Sequence, residues 1–514
     1  MLSPRSRRRF ALPLVALSPF SASVPSPAAP HPECFPLEPG AGIQRDQAAV
    51  LLEACLPVAP ADGERLDQPA PLPGRIERLQ PRIAALEALQ FSTTTSLRGD
   101  VRSWLGGVAY GGNQINPGAN TYNGRPLRNA VAFNSDVRFT ITTSFDGEDL
   151  LRVRLRGGNG GFSPFRDSIV PTLRLSGVAP ACGSEPPCRN DWLLLDKLFY
   201  QRAIGSNLRV TVGSRLNQKD MIAIWPSAFD DNDNLLSLFS RGGAPGAYSD
   251  VKGAGAGFYW IQRASSDGGV GWVLSAVSVA GDAQLGDPSA GGWFSRGSAG
   301  ANTLQIGHQG GNWAAAATYT HNQADAFDRA GMTPLTTQTW PGRGRGLGGH
   351  VNSLGLTAFW QPQTSPWLPA ITMGWGFNSN VYTDAIDADA VAGGLAQRPP
   401  LLARSQSWMV GLNWYDVMLS GSELAFAIGS PVFLTAYRNP DGQAGSADAA
   451  VQLELWYRFQ ATDQLTLTPG LFWLPRPRGQ LTAAGSHWDS NPLPLGRDAT
   501  LSALGAVLKV RFRF

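Results

Sequence analysis

The chain has 514 residues, of which 16% are charged and 10% aromatic, and it contains 59 glycines and 39 prolines. Few charges and abundant glycine favour many short strands joined by turns over a helical enzyme. Four of the 42 basic residues lie at the amino terminus, and the remainder balance the 39 acidic ones. Without those four arginines the chain is about neutral, so its net positive charge is not evidence for nucleic-acid binding.

The amino terminus has the order of a secretory signal peptide. Four arginines precede an apolar stretch, Phe10–Leu17, and small residues follow it. This pattern predicts a signal peptide over residues 1–29, with cleavage after Ala22 or later, near Ala28 or Ala29. The alternative is a basic disordered tail.

Four cysteines in an exported chain predict two disulfides. Cys182 and Cys188 flank a turn-rich loop, which favours a local bridge, and Cys34 would then pair with Cys55. Only proximity selects this pairing from the three that four cysteines allow. Because no CxxC pair or histidine cluster accompanies them, we predict no metal site and no cofactor.

Residues 30–90 differ in pattern from the rest of the chain. Segment 30–57 contains a stretch with helical spacing, and residues 58–74 form a proline-rich linker. Segment 75–90 repeats apolar residues in an a/d heptad pattern, which favours self-association of helices. The alternative is a lone amphipathic helix packed on the body, and Pro81 would kink this helix or mark its start.

From residue 91 onward the pattern has the period of two that is typical of strands. Val131–Thr143 alternates apolar and polar residues, and a turn at Asp146 and Gly147 leads into a second alternating run, Leu151–Arg156. No apolar run reaches the roughly 18 residues of a membrane-spanning helix. We therefore predict an all-β fold over residues 91–514, a transmembrane antiparallel β-barrel of about 16 strands after a short helical segment. A soluble multi-domain β protein is the alternative, but these strands keep one face polar throughout.

The last strand has one apolar and one cationic face. Lys509, Arg511 and Arg513 alternate with apolar residues up to the terminal Phe514. In a membrane barrel the apolar face meets lipid and the cationic face meets a water-filled lumen. We predict that this strand closes the barrel.

Polar positions on the predicted strands identify candidate pore-lining side chains. A row of arginines offers paired donors to hydroxyls, carboxylates or phosphates, which is what a constriction needs. The alternative is that these arginines solvate the inner wall and pair with neighbouring strands. The candidates are Asp136, Arg138, Arg152, Arg154, Arg156, Arg209 and Arg215.

No sequence motif of a catalytic site is convincing. GxSxG, HExxH and P-loop motifs do not occur, and the five histidines lack metal-ligand spacing. An acidic stretch, Asp230–Asp233, is compatible with cation attraction or with a solvated loop. We predict that the protein is not an enzyme.

Several stretches, in their order along the chain, resemble one family: Phe91–Leu97, Arg138–Phe145, Leu151–Leu155, Leu194–Tyr200, Leu208–Gly213, Leu453–Gln460 and Thr462–Gly470. The chain is similar to cyanobacterial outer-membrane porins of the carbohydrate-selective, OprB-like family, often called iron uptake porins. The resemblance implies a homotrimer in the lipid of the outer membrane. It also implies passive diffusion of small hydrophilic solutes, carbohydrates and inorganic ions including iron.

Members of this family carry a surface-layer-homology domain before the heptad helix. Ile43–Leu56 resembles only the last helix of that domain, and the segment before it is too short to supply the rest. We therefore expect at most a remnant of this domain, and binding to peptidoglycan-linked polysaccharide would depend on that remnant. The alternative function is a structural tether between outer membrane and cell wall with little channel activity.

Overall fold

The computed structural model describes most of the chain from Thr94 to Phe514. The predicted signal peptide, segments 30–57, 58–74 and 75–90, all four cysteines and Asp230–Asp233 lie outside the described residues. In the described part, no helix has the length and apolar character to span a membrane. The gaps after residue 93 are 123–124, 167–169, 171, 179–191, 230–233, 264–269, 296, 324–325, 327–331, 334–335, 337–348, 363–366, 383–400, 439–448 and 480–498.

Sixteen of the described strands form one closed barrel in which each strand is antiparallel to its neighbours. The predicted all-β barrel of about 16 strands is confirmed. The barrel strands are β1 (Thr95–Gly111), β5 (Ala132–Thr143), β6 (Asp149–Gly158), β7 (Leu194–Ile204), β8 (Leu208–Leu216), β9 (Gly253–Arg263), β10 (Val270–Ala280), β11 (Gly300–Gln309), β12 (Trp313–Gln323), β13 (Gly349–Trp360), β14 (Ala370–Tyr382), β15 (Leu401–Tyr415), β16 (Glu423–Arg438), β17 (Gln452–Gln460), β18 (Leu465–Leu474) and β19 (Ser502–Arg513).

The remaining described elements lie in the connections. Three short strands make a separate small sheet, β2 (Ile115–Asn116), β3 (Thr121–Tyr122) and β4 (Arg125–Pro126). Three single-turn 3-10 helices span Gly160–Phe162, Gln218–Asp220 and Phe239–Arg241.

Side-chain alternation fixes which face of each strand points into the barrel. In β19, Leu504 is 52% exposed on the outside, whereas Val507 and Lys509 on the other face are buried. β19 pairs with β1, with Arg511 opposite Arg102, and this pairing closes the barrel. The outer wall is therefore apolar, as a lipid-facing surface requires, and the inner wall carries the charges.

The connections differ in length between the two ends of the barrel. Short turns such as residues 144–148 and 461–464 join strands at one end, which we call the turn end. The long connections lie at the opposite end, the loop end. The longest of them, residues 217–252 between β8 and β9, is named the inner loop because its described residues fold into the barrel.

The hydrophobic core lies inside the barrel, between the inner loop and the wall. Phe229 and Phe239 of the inner loop are fully buried, and the ring of Phe229 lies 6.1 Å from that of Trp456 on β17. A second connection contributes Phe165, whose ring lies 6.4 Å from that of Phe472 on β18. One part of the lumen is thereby filled with apolar side chains.

Glycines on the wall leave space for the inner loop. A Cβ atom on Gly374 of β14 would lie 1.7 Å from the carbonyl oxygen of Gly242 in the loop, far inside contact distance. A Cβ on Gly411 of β15 would lie 2.1 Å from the ring of Phe229. The backbone of the loop therefore approaches the wall so closely that no side chain fits between them.

A buried glutamate on β17, two strands away from β15, also holds the inner loop. Glu454 of β17 accepts hydrogen bonds from the backbone N–H groups of Leu235 (3.2 Å) and Leu236 (2.6 Å). Its other oxygen accepts one from Nε1 of Trp456 at 3.0 Å. The loop is thus fixed by directional bonds as well as by apolar packing.

We predict that Gly374→Ala destabilises the barrel, because the added methyl group collides with the inner loop. Overpacking of this kind typically costs about 1–3 kcal/mol. The temperature at which the folded, fast-migrating band disappears on an unheated-to-heated SDS gel series should fall. Gly286→Ala is the matched control, because a Cβ at Gly286 meets nothing within 4 Å. Equal transition temperatures for the two variants would contradict the proposed contact between the inner loop and Gly374.

Candidate functional site: an arginine-lined cavity

A polar cavity of about 690 Å3 occupies the part of the lumen that the core leaves open. Strands β1, β5, β6, β7 and β19 supply one side, and the inner loop with Arg174–Val178 supplies the other. Three aspartates line it, Asp100, Asp220 and Asp250. Its cationic side chains are Arg98, Arg102, Arg138, Arg152, Arg154, Arg156, Arg174, Arg241, Arg511, Lys197, Lys219 and Lys252.

Strand register brings these charges together. Arg138 on β5 lies opposite Asp100 on β1 and opposite Arg156 on β6, so the three side chains form one row across the wall. Arg154, two residues before Arg156 on β6, lies opposite Lys197 on β7. Residues two apart on a strand share a face, so charges at alternate positions accumulate on the inner wall.

Each of three carboxylates in the wall is shared by two cations. Asp136 is buried, and Arg138 donates to it at 2.8 Å while Arg156 donates from the neighbouring strand. Two more carboxylates are shared in the same way, Asp100 by Arg102 (2.8 Å) and Arg511 (2.6 Å), and Asp196 by Arg154 and Lys252. Removing one partner of such a buried pair typically costs about 3–5 kcal/mol, because a charge is left uncompensated.

Three other cations of the cavity have no carboxylate partner among the described residues. The guanidinium of Arg152 lies 5.6 Å from the centre of the Phe199 ring, and its Nε is buried without a hydrogen-bond partner in the described part of the chain. The Nζ of Lys219 lies 4.8 Å from the Trp225 ring centre. Arg98 lines the cavity on β1. Aromatic faces orient the first two cations without neutralising them.

The wall opposite the arginines consists of two inward-folded segments that pair with each other. The backbone N–H of Ser176 donates to the carbonyl of Leu235 at 2.6 Å, and that of Ser237 donates to the carbonyl of Arg174 at 2.9 Å. Arg156 reaches across the cavity and donates to the carbonyl of Gly177 at 2.9 Å. The cavity is therefore bounded by backbone that is held in place from both sides.

Lys252 lies at the end of the inner loop and pairs with Asp196 on β7 of the wall. Burial lowers the pKa of Lys252 from its ordinary value, and the attraction of Asp196 opposes this shift only in part. Water stabilises the charge of an exposed lysine, whereas the charge of the partly buried Lys252 depends on Asp196.

The sequence-predicted lumen residues fall into two groups. Asp136, Arg138, Arg152, Arg154 and Arg156 come together at this cavity, four of them on its lining and Asp136 behind it as their buried partner. The other two stand apart: Arg209 lies opposite Tyr259 outside the cavity lining, and Arg215 is exposed opposite Leu198, next to an irregularity in the pairing of β8.

Sequence reasoning missed further residues of the site. Arg98, Asp100 and Arg102 follow one another at the strand period, and this signal was sufficient to place them on the inner wall of β1. The contribution of Arg241 from the inner loop had no such signal, because its position depends on how the loop folds. The described residues contain no group of three or more histidine, cysteine, aspartate or glutamate side chains that fits a metal ion.

The comparisons with known proteins identify a family and two relatives. A model of the family described as carbohydrate-selective porin, OprB family, matches residues 70–514. An uncharacterized protein of Synechocystis sp. is 27% identical over 420 residues, covering 78% of this chain and 68% of its own length. An uncharacterized protein of Nostoc sp. is 28% identical over 426 residues, covering 79% of this chain and 66% of its own length.

A solved structure, the high-pH form of Pseudomonas putida OprB, is similar with a TM-score of 0.48 and 12% identity, over 85% of this chain and 97% of that one. The family match, by contrast, spans most of the chain and confirms the resemblance drawn from the sequence motifs. The chain belongs to the OprB family of carbohydrate-selective porins and is an outer-membrane porin.

Proposed function

We propose that the chain is a passive channel for small hydrophilic solutes, and that they cross through the arginine-lined cavity without a catalytic step. The observation that carries this proposal is a charged, polar cavity inside a barrel whose outer wall is apolar. Charged and polar groups there replace part of the hydration shell of a solute, and the inward-folded segments restrict its size. An energy-coupled mechanism is not part of the proposal.

Sugars are one class of small hydrophilic solute that the family description supports. Arginine side chains offer several N–H donors in a planar arrangement, and Thr140 and Thr142 on β5 add hydroxyl groups to the same lining. Such donors and acceptors match the hydroxyls of a small carbohydrate. A narrow polar passage therefore favours monosaccharides over longer sugars.

The assembly around the channel is also part of the proposal. We propose a homotrimer in the outer membrane, exported by the signal peptide at residues 1–29 and in contact with cell-wall polysaccharide through residues 30–57. Export and cell-wall contact are supported by sequence patterns, and trimer formation by family membership and the heptad pattern at 75–90.

We predict that the purified protein produces stepwise conductance in a planar lipid bilayer, and that Thr140→Tyr lowers the unit conductance about twofold or more, because the larger ring narrows the cavity. Val137→Tyr is the matched control, since Val137 lies on the opposite face of the same strand. An absence of steps would contradict the channel. An equal effect of both variants would contradict this route through the barrel.

We also predict that proteoliposomes containing the protein swell faster in an isosmotic monosaccharide than in a trisaccharide, since the inward-folded segments and the lining side chains restrict the size of the solute. Swelling rates measured by light scattering test this order. If neither sugar enters, and if deletion of residues 30–57 abolishes binding to isolated cell walls, the structural tether becomes the better description.

A further inference from the structure

We propose that the cavity selects small anions that carry a carboxylate, phosphate or sulfate group over neutral sugars and over metal cations. This inference rests on the proposed function, because it names the solute class of the same channel. It also predicts that iron does not cross as a free cation.

The cavity carries an excess of positive charge. The cavity has twelve arginine and lysine side chains on its lining but only three aspartates. Including Asp136 and Asp196, which pair with lining cations from behind, raises the acidic groups to five. A lumen with low-dielectric walls concentrates the field of such an excess, so it attracts anions and repels a divalent or trivalent cation.

The arginines are spaced along the channel. Arg152, Arg154 and Arg156 occupy successive inward positions of β6, so they form rungs on the order of 7 Å apart along the strand. Arg98 lines the turn-end part of the same cavity, opposite Thr140 of β5. An anion that leaves one arginine is therefore already near the next. This spacing permits weak binding at several sites in turn, rather than tight binding at a single site.

The cationic groups that line the cavity are mostly guanidinium groups. Nine of the twelve lining cations are arginines, and no carboxylate among the described residues pairs with Arg98 or Arg152. A carboxylate or phosphate carries a negative charge and can accept two parallel hydrogen bonds from one guanidinium, whereas a sugar hydroxyl is neutral. These arginines therefore favour a carboxylate or phosphate over an uncharged sugar.

The inference is tested by the reversal potential of the purified protein in a bilayer under a potassium chloride gradient. The wild-type channel should pass chloride in preference to potassium by about threefold or more. The triple variant Arg98→Gln, Arg152→Gln, Lys219→Gln should lower this ratio by at least about half. These three positions are chosen because no described carboxylate pairs with them, so no buried aspartate loses its partner.

Arg215→Gln is the matched control, since it removes the same charge outside the cavity and should leave the reversal potential unchanged. Heat-dependent mobility on SDS gels verifies that each variant has folded before it is measured. Stepwise conductance with a preference for potassium, or an unchanged ratio in a folded triple variant, overturns the anion inference and leaves the channel itself intact. Loss of all conductance in the wild-type protein would instead overturn the proposed function.

Competition distinguishes the possible solutes. Inorganic phosphate, a sugar phosphate and the corresponding neutral sugar are added in turn while chloride current is recorded. Block by phosphate alone identifies inorganic oxyanions, and block by both phosphate compounds identifies the wider class. Stronger block by the neutral sugar, or passage of ferrous ion into chelator-loaded proteoliposomes above the protein-free rate, contradicts the inference.

Discussion

The contact between the inner loop and the inner wall of the barrel is the constraint on which the rest of the structure depends. The loop backbone rests directly on Gly374, and its aromatic side chains bury against Trp456 and its neighbours. Glu454 also accepts hydrogen bonds from two consecutive backbone N–H groups of the loop. Without this packing, a 16-stranded barrel would enclose a wide aqueous lumen.

Because the core fills one side of the lumen, the open space lies along β19, β1, β5, β6 and β7, where the charges are. Arginines that face one another across adjacent strands would repel, and buried carboxylates such as Asp136 reduce that repulsion by serving two cations each. The wall is therefore stabilised while its positive excess is kept. Some of the arginines pair with carboxylates of the wall, whereas Arg98 and Arg152 have no carboxylate partner among the described residues.

The sequence was sufficient for the barrel because two-residue periodicity records directly which face of a strand meets lipid. The hairpin from Val131 to Arg156 is present as β5 and β6, with Gly147 at a positive φ of 84° in its turn. The strand period also predicted the inward arginines of β6. The strand period alone did not separate these arginines from Arg209, which lies outside the cavity lining, or from Arg215, which is exposed where the register of β8 is irregular.

The interior of the barrel was less predictable. The stretch from Asp230 to Val251 is rich in loop-forming residues, and a loop on the surface has the same local pattern as one that enters the lumen. Its position depends on contacts distant in sequence, such as those of Leu235 and Leu236 with Glu454, which lie more than 200 residues apart. The glycines of the wall that contact the loop do not predict its position either, because a glycine in a strand does not show which segment packs against it.

The central claim is that solutes are confined to the arginine-lined side of a partly filled barrel and that anions bind there. The most direct measurement is a crystal structure of the protein soaked in bromide, with anomalous scattering to locate the ions. The account predicts bromide peaks near Arg98, Arg152 and Lys219, with the inner loop seated on the opposite wall. Peaks spread evenly around an open lumen, with the inner loop away from Gly374, would contradict it.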